Sequence, residues 1–238
     1  MKSLLALFSL SLLATFSLAA QEAAKKAPAV FADYFTPGVA VKGEVVVVIP
    51  PDEIQTYVDK VEKAAKADPE WFAEYSKSAA PGIPLPFHEK LGLTKAEYED
   101  YLKLWDAREF KPLPQGELIL RLEEKSDGKW MIRVTGRGTE LTAIAYDAEE
   151  DVFRSMSGEM KRIEDINADK RSILGAWTGK EWKLEQEDAF GVTKENIAVG
   201  KLADGSYGLL VYRLQEVSST GTRIFDKSLI IRFAIKRS

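Results

Sequence analysis

The chemistry open to this 238-residue chain is set by one histidine, no cysteine and 37 acidic side chains. A histidine general base needs a nucleophile and an orienting group brought to it. A histidine metal site usually needs a second imidazole or a thiolate, and the sequence contains neither. His88 follows a proline-rich stretch and precedes Glu89-Lys90, so it reads as a loop histidine. The absence of cysteine removes thiol catalysis, thiolate metal sites and thiol redox chemistry. No catalytic residue, metal ligand or cofactor is assigned from these residue types.

Carboxylates alone can hydrolyse a glycosidic bond when two of them face each other across a cleft. Asp147, Glu149, Glu150 and Asp151 cluster in sequence, as do Glu159, Glu164, Asp165 and Asp169. The first group falls in a turn between strands and the second in a charged connection, and both read as solvated. The acidic turn lacks the glycine and the oxygen spacing of a helix-loop-helix calcium site. Gly136-Arg137-Gly138 begins like a dinucleotide fingerprint, but no third glycine follows and no helix opens there. A bulge or sharp bend explains it better.

The stretch Gly175-Ala176-Trp177-Thr178-Gly179-Lys180-Glu181-Trp182 carries the strongest binding signal. Tryptophan buries a large apolar area while keeping one N–H donor. Trp177 and Trp182 are therefore the candidate binding residues, although Trp182 alternates with Leu184 as a core strand residue would. Gly-x-Trp before a barrel strand resembles the lipocalin signature. That resemblance implies a tryptophan closing the barrel floor with a late arginine, Arg232 or Arg237, packed across it. In lipocalins the motif opens the barrel, whereas several strands precede it here, and the chain is not assigned to that family.

The elements that must position these residues change character along the chain. Residues 20–38 read as a flexible lead-in after a signal peptide. Within 39–114, Glu44-Val45-Val46-Val47-Val48-Ile49 predicts a strand buried on both faces and closed by Pro50-Pro51. Ile54, Tyr57, Val58, Val61 and Ala65 recur at helical spacing, and Asp68-Pro69 opens a second helix. Ala80 to Pro86 is a stiff loop, and Thr94-Lys95-Ala96-Glu97 is a capping box starting a third helix. The one-sided faces of these helices are expected to cover a sheet.

From 115 to 238 the period becomes two, with Leu118, Leu120 and Leu122 alternating with polar or outward positions. Closely spaced turns at Ser126–Lys129, Asp147–Glu150, Asp204-Gly205 and Thr220-Gly221 predict an antiparallel meander. Residues 157–174 break the pattern and read as a helix or a long connection. The expected fold class is α+β, N-terminal amphipathic helices packed on a C-terminal antiparallel sheet that is curled or barrel-like.

Met1-Lys2-Ser3, the apolar run Leu4–Leu18 and the small-x-small site ending at Ala19 make the three-part pattern of a secretory signal peptide. The run is shorter than the roughly 20 residues a spanning helix needs. Export to the periplasm or the exterior is the expected location, with no membrane span in the mature chain. The net charge of −4 drops by one when Lys2 leaves, and the two signs are interspersed. Nothing forms the basic stripe that nucleic acid requires. The expected function is non-catalytic binding of a small apolar ligand or of an envelope or secreted protein. The alternative is a carboxylate-dependent hydrolase of an extracytoplasmic polymer.

Overall fold

The computed structural model describes residues 26–76, 84–114, 117–188, 191–217 and 222–235. The stretch read as a signal peptide, most of the Ala80–Pro86 loop, Thr220-Gly221 and Arg237 lie outside these residues. The predominant element is antiparallel strand, and three helices are inserted between the first two strands. The architecture is thus α+β and mostly β.

β1 (Val41–Ile49) is separated from β2 (Glu109–Pro112) by α1 (Gln55–Ala67), α2 (Pro69–Ser76) and α3 (Lys95–Asp106). Ten further strands follow: β3 (Leu118–Ser126), β4 (Lys129–Gly136), β5 (Thr139–Asp147), β6 (Val152–Arg154), β7 (Glu159–Arg162), β8 (Ile166–Ala168), β9 (Trp177–Asp188), β10 (Gly191–Leu202), β11 (Tyr207–Val217) and β12 (Thr222–Phe233). Pairing runs β1-β3-β4-β5-β6-β7-β9-β10-β11-β12 and returns to β1, which closes a 10-strand antiparallel barrel. β1 makes that closure, setting Val45 opposite Ile231 of β12 and Val41 opposite Leu120 of β3. β2 and β8 lie beside the ring, paired with β1 and β9. The segment 157–174 therefore contains two short strands and no helix. Its apolar residues are divided instead of forming a helical stripe: Met160 faces the barrel core, while Ile166, Ile173 and Leu174 pack on the outer cluster.

Alternation along the strands divides two apolar clusters. Leu120, Leu122, Ile132, Val134, Trp182 and Ile231 point inward and are fully buried. Val46, Trp177, Ala198, Leu210 and Ile230 point outward into a second cluster. Leu174, Ile173 and Phe110 cover that outer face. The hydrophobic run of β1 serves both, with Val45 inside and Val46 outside.

An eight-stranded barrel is just wide enough for its own side chains to fill, and the interior widens as strands are added. Here the N-terminal segment supplies the missing volume at one end. From Lys26 onward, the stretch read as a flexible lead-in turns back and inserts Phe31 beside Tyr146 at 4.8 Å, Trp182 at 5.7 Å and Phe153 at 5.9 Å. Phe35 stacks on Phe233, Tyr34 meets Tyr207 edge-on, and Gly38 N–H donates to the Leu122 carbonyl.

The helices depart from expectation. They pack mainly on one another, with Leu91 and Leu93 buried between them. Thr94 and Glu97 form the capping box, and Lys60 pairs with Glu97. The layer meets the barrel's cover at the end of α3. There Trp105 Nε1 donates to the Arg171 carbonyl at 2.9 Å, and Asp106 pairs with Lys170 and Arg171.

Two carboxylates fold with strongly depressed pKa values. The Lys60 ammonium, then the Thr94 backbone N–H, hold Glu97 down at about 2. The Lys129 ammonium does the same for Asp147, at about 2. Both groups ionise more readily folded than unfolded, so their contribution is complete above the unfolded pKa and disappears as pH falls through the folded one. The urea midpoint is expected to be flat above about pH 5 and to fall between about pH 4.5 and 2. The Glu97→Gln/Asp147→Asn variant should show a shallower fall. An unchanged acid limb in that variant would remove both groups from the account.

Candidate functional site

Opposite the aromatic plug the described side chains leave the barrel interior partly unfilled. A cavity of about 300 Å³ opens there, walled by Thr142, Ile144, Met160, Ile197, Val211 and Leu229. These come from β5, β7, β10, β11 and β12, each at an inward position. The same inward phase carries two charges: Glu195 precedes Ile197 and Val199 on β10, and Arg213 follows Leu209 and Val211 on β11. The register sets Glu195 directly opposite Arg213.

A carboxylate on an inward face must be paired, because a bare buried charge is far costlier than a paired one. Glu195 is 5% exposed. Its Oε1 lies 3.0 Å from Arg213 Nε and accepts from Ser157 Oγ at 2.8 Å. Arg213 Nη2 also donates to Ser157 Oγ at 3.2 Å. Ser157 belongs to the loop between β6 and β7, which is held in shape by Ser155 N–H donating to the Gly158 carbonyl and by Ser157 N–H donating to Ser155 Oγ. Met156 at the loop tip is fully exposed at the cavity's rim. The site is an apolar cup whose edge carries the Glu195–Arg213 pair, the Ser157 hydroxyl and Arg154.

The sequence-selected tryptophans lie elsewhere and do not share a pocket. Trp182 faces into the barrel, where its Nε1 donates to the Asp151 carbonyl at 3.2 Å. Trp177 faces outward, buried in the second cluster over Gly179 and Gly200, which oppose each other across β9 and β10. A Cβ on Gly179 would stand 2.5 Å from the indole and one on Gly200 2.3 Å, so only glycine admits the ring there. Trp177 therefore does not close the barrel floor, and Arg232 pairs with Glu44 of β1.

The acidic turn is not simply solvated. Asp147 is 1% exposed; it pairs with Lys129 and Arg154 and accepts from the Glu149 backbone N–H at 3.2 Å. Asp151 accepts from Tyr146 Oη at 2.7 Å and pairs with Arg162 at 2.8 Å. Burial, then the Asp151 hydrogen bond, pushes the Tyr146 phenol far up. These acids are consumed in holding the turn. Arg137 and Gly138, both at positive φ, form the two-residue hairpin turn from β4 to β5. His88 Nδ1 accepts from the Lys90 backbone N–H, and its ring lies 4.8 Å from that of Trp71. Among the described residues no group of three or more His, Asp or Glu side chains is placed to hold a metal ion.

Sequence reasoning missed the mouth because it did not single out Glu195 or Arg213. The available signal was their phase: each shares the parity of the apolar face of its own strand. No protein-family model matches the chain, and none of the curated proteins or solved structures matches it either.

Proposed function

We propose that the chain is an exported, non-catalytic binding protein that takes a small apolar or amphipathic ligand into the barrel mouth. The observation that carries this reading is the cavity of about 300 Å³ walled by inward residues of five barrel strands. That volume falls at the lower end of the range for small-molecule sites, which are mostly apolar with a few placed polar groups. The N-terminal Lys2, Leu4–Leu18 and Ala19 pattern supports export. A small ligand is favoured over a protein partner because the apolar surface here is concave. The carboxylate-hydrolase reading is the weaker one, since Asp147, Glu150 and Asp151 are engaged by Lys129, Arg154 and Arg162.

The test uses 1-aminonaphthalene, an uncharged probe whose emission rises in apolar surroundings. The mature chain should bind it saturably with one site. Thr142→Trp, which places an indole across the cavity, should abolish that binding while leaving a cooperative thermal transition. Binding that persists undiminished in the folded Thr142→Trp variant would place the probe elsewhere and end this reading.

A further inference from the structure

Resting on the mouth as the ligand site, we infer that its ligand is an uncharged, compact molecule of one or two rings, and that the mouth turns away anions and cations alike. The wall such a molecule covers is apolar and includes Ile144, Met160, Ile197, Val211 and Leu229. Three charged residues also line the cavity, Arg154, Glu195 and Arg213, and each already has opposite charge beside it. Arg154 stands against the carboxylates of Glu150 and Glu159, with that of Asp147 3.4 Å away. Glu195 and Arg213 pair at 3.0 Å, the Ser157 hydroxyl bonds to both, and Arg213 is engaged beyond these two.

A charged headgroup gives up water when it enters such a mouth, and the loss is recovered only where an opposite charge is available to it. Here neither sign finds one. An anion drawn toward Arg213 competes with Glu195, and one drawn toward Arg154 competes with Glu150 and Glu159. A cation drawn toward Glu195 competes with Arg213, and one drawn toward Glu150 or Glu159 competes with Arg154, the member of that group on the cavity wall. Displacing any of these partners leaves a charge without its pair. An uncharged ligand leaves every pair in place while it covers the apolar wall. The volume sets the size. An apolar cavity of ~150 Å³ holds benzene, so one of about 300 Å³ takes roughly twice as much, about 10 to 12 heavy atoms in compact form.

The experiment follows displacement of 1-aminonaphthalene from the mature chain at neutral pH by three ligands that share one ring system: 1-naphthylmethanol, 1-naphthoate and 1-naphthylmethylammonium. The alcohol should bind about tenfold or more tighter than either ion. It should also bind tighter than benzyl alcohol, which underfills the space, and than 9-anthracenemethanol, which overfills it. Thr142→Trp should remove binding of the alcohol, which places it in the mouth. An ion that matches or exceeds the alcohol in the wild type, or a probe that none of the three displaces, would overturn the inference and leave the cavity reading standing. Tighter binding of 9-anthracenemethanol would overturn the compact size. If neither the probe nor the alcohol binds, or if the alcohol binds undiminished to the folded Thr142→Trp variant, the cavity reading falls and the inference with it. Should Thr142→Trp not fold, the wild-type order still decides between uncharged and charged ligands.

Discussion

Replacing Phe31 with alanine is expected to lower the free energy of unfolding by about 3–5 kcal/mol, the usual loss when a buried aromatic is truncated. Phe31 is 0% exposed and touches Tyr146, Phe153, Trp182 and Phe35. Such ring pairs contribute beyond the area they bury. The larger reason is geometric. A ten-stranded ring is too wide for its own inward residues, so the space under Phe31 has no neighbour positioned to collapse into it. Sites that relax poorly sit at the upper end of the range. Urea unfolding followed by fluorescence checks this directly, because Trp182 lies 5.7 Å from Phe31 and reports water entering that end. Phe31→Leu should recover more than half of the loss. A change below about 1 kcal/mol for Phe31→Ala would show the segment to be a dispensable lid instead of part of the core.

How far the sequence shows this molecule depends on whether a feature is periodic. The α1 and α3 helices are legible because Tyr57, Val58 and Val61 recur on one face and Thr94 and Glu97 cap the next. Most of the meander is legible for the same reason, the β3 leucines alternating as read. The plug is a single turn, with Phe31, Tyr34 and Phe35 at i, i+3 and i+4, too short to register as a periodic element. Phe31, Tyr34 and Phe35 sit among small and polar residues, and only the width of the closed barrel makes a place for them. The closure itself pairs β1 with β12, a contact between the two ends of the chain that no local pattern encodes. The site was hidden differently. Glu195 and Arg213 are individually unremarkable charges on strands, and their meaning depends on a register that sets them opposite each other over a cavity. Trp177 and Trp182 attracted attention by residue type, yet packing assigns one to each side of the same sheet.

Arg108→Ala is expected to cost about 3 kcal/mol or more and to loosen the barrel's outer cover before the barrel itself. Arg108 is buried at the junction of α3, β2 and the 169–176 segment. Its Nη1 donates to the Trp105 carbonyl at 2.9 Å and its Nη2 to the carbonyls of Lys170 and Ser172. The guanidinium also lies 5.0 Å from the Trp105 ring and 5.5 Å from that of Phe110. Burial pulls its pKa down, and Asp106 and Asp169 act the other way. Alanine would strip charge-assisted donors from three carbonyls at once, and each buried acceptor left unmade costs about 1–3 kcal/mol, though such losses do not add. Arg108→Lys should rescue little, since one ammonium cannot span the fork that reaches carbonyls on two segments while stacking between two rings. Hydrogen exchange supplies the readout a general loss of stability would not mimic. Amides of 169–176 and of α3 should exchange faster in Arg108→Ala, while those of β4 and β5, which contribute nothing to the outer cluster, keep their protection under native conditions. The mouth cavity is walled from inside the barrel and shares no residue with this junction, so probe binding should persist in the variant. Uniform acceleration across all strands would mean that cover and barrel unfold as one unit, and that the helical layer is required for the barrel to close.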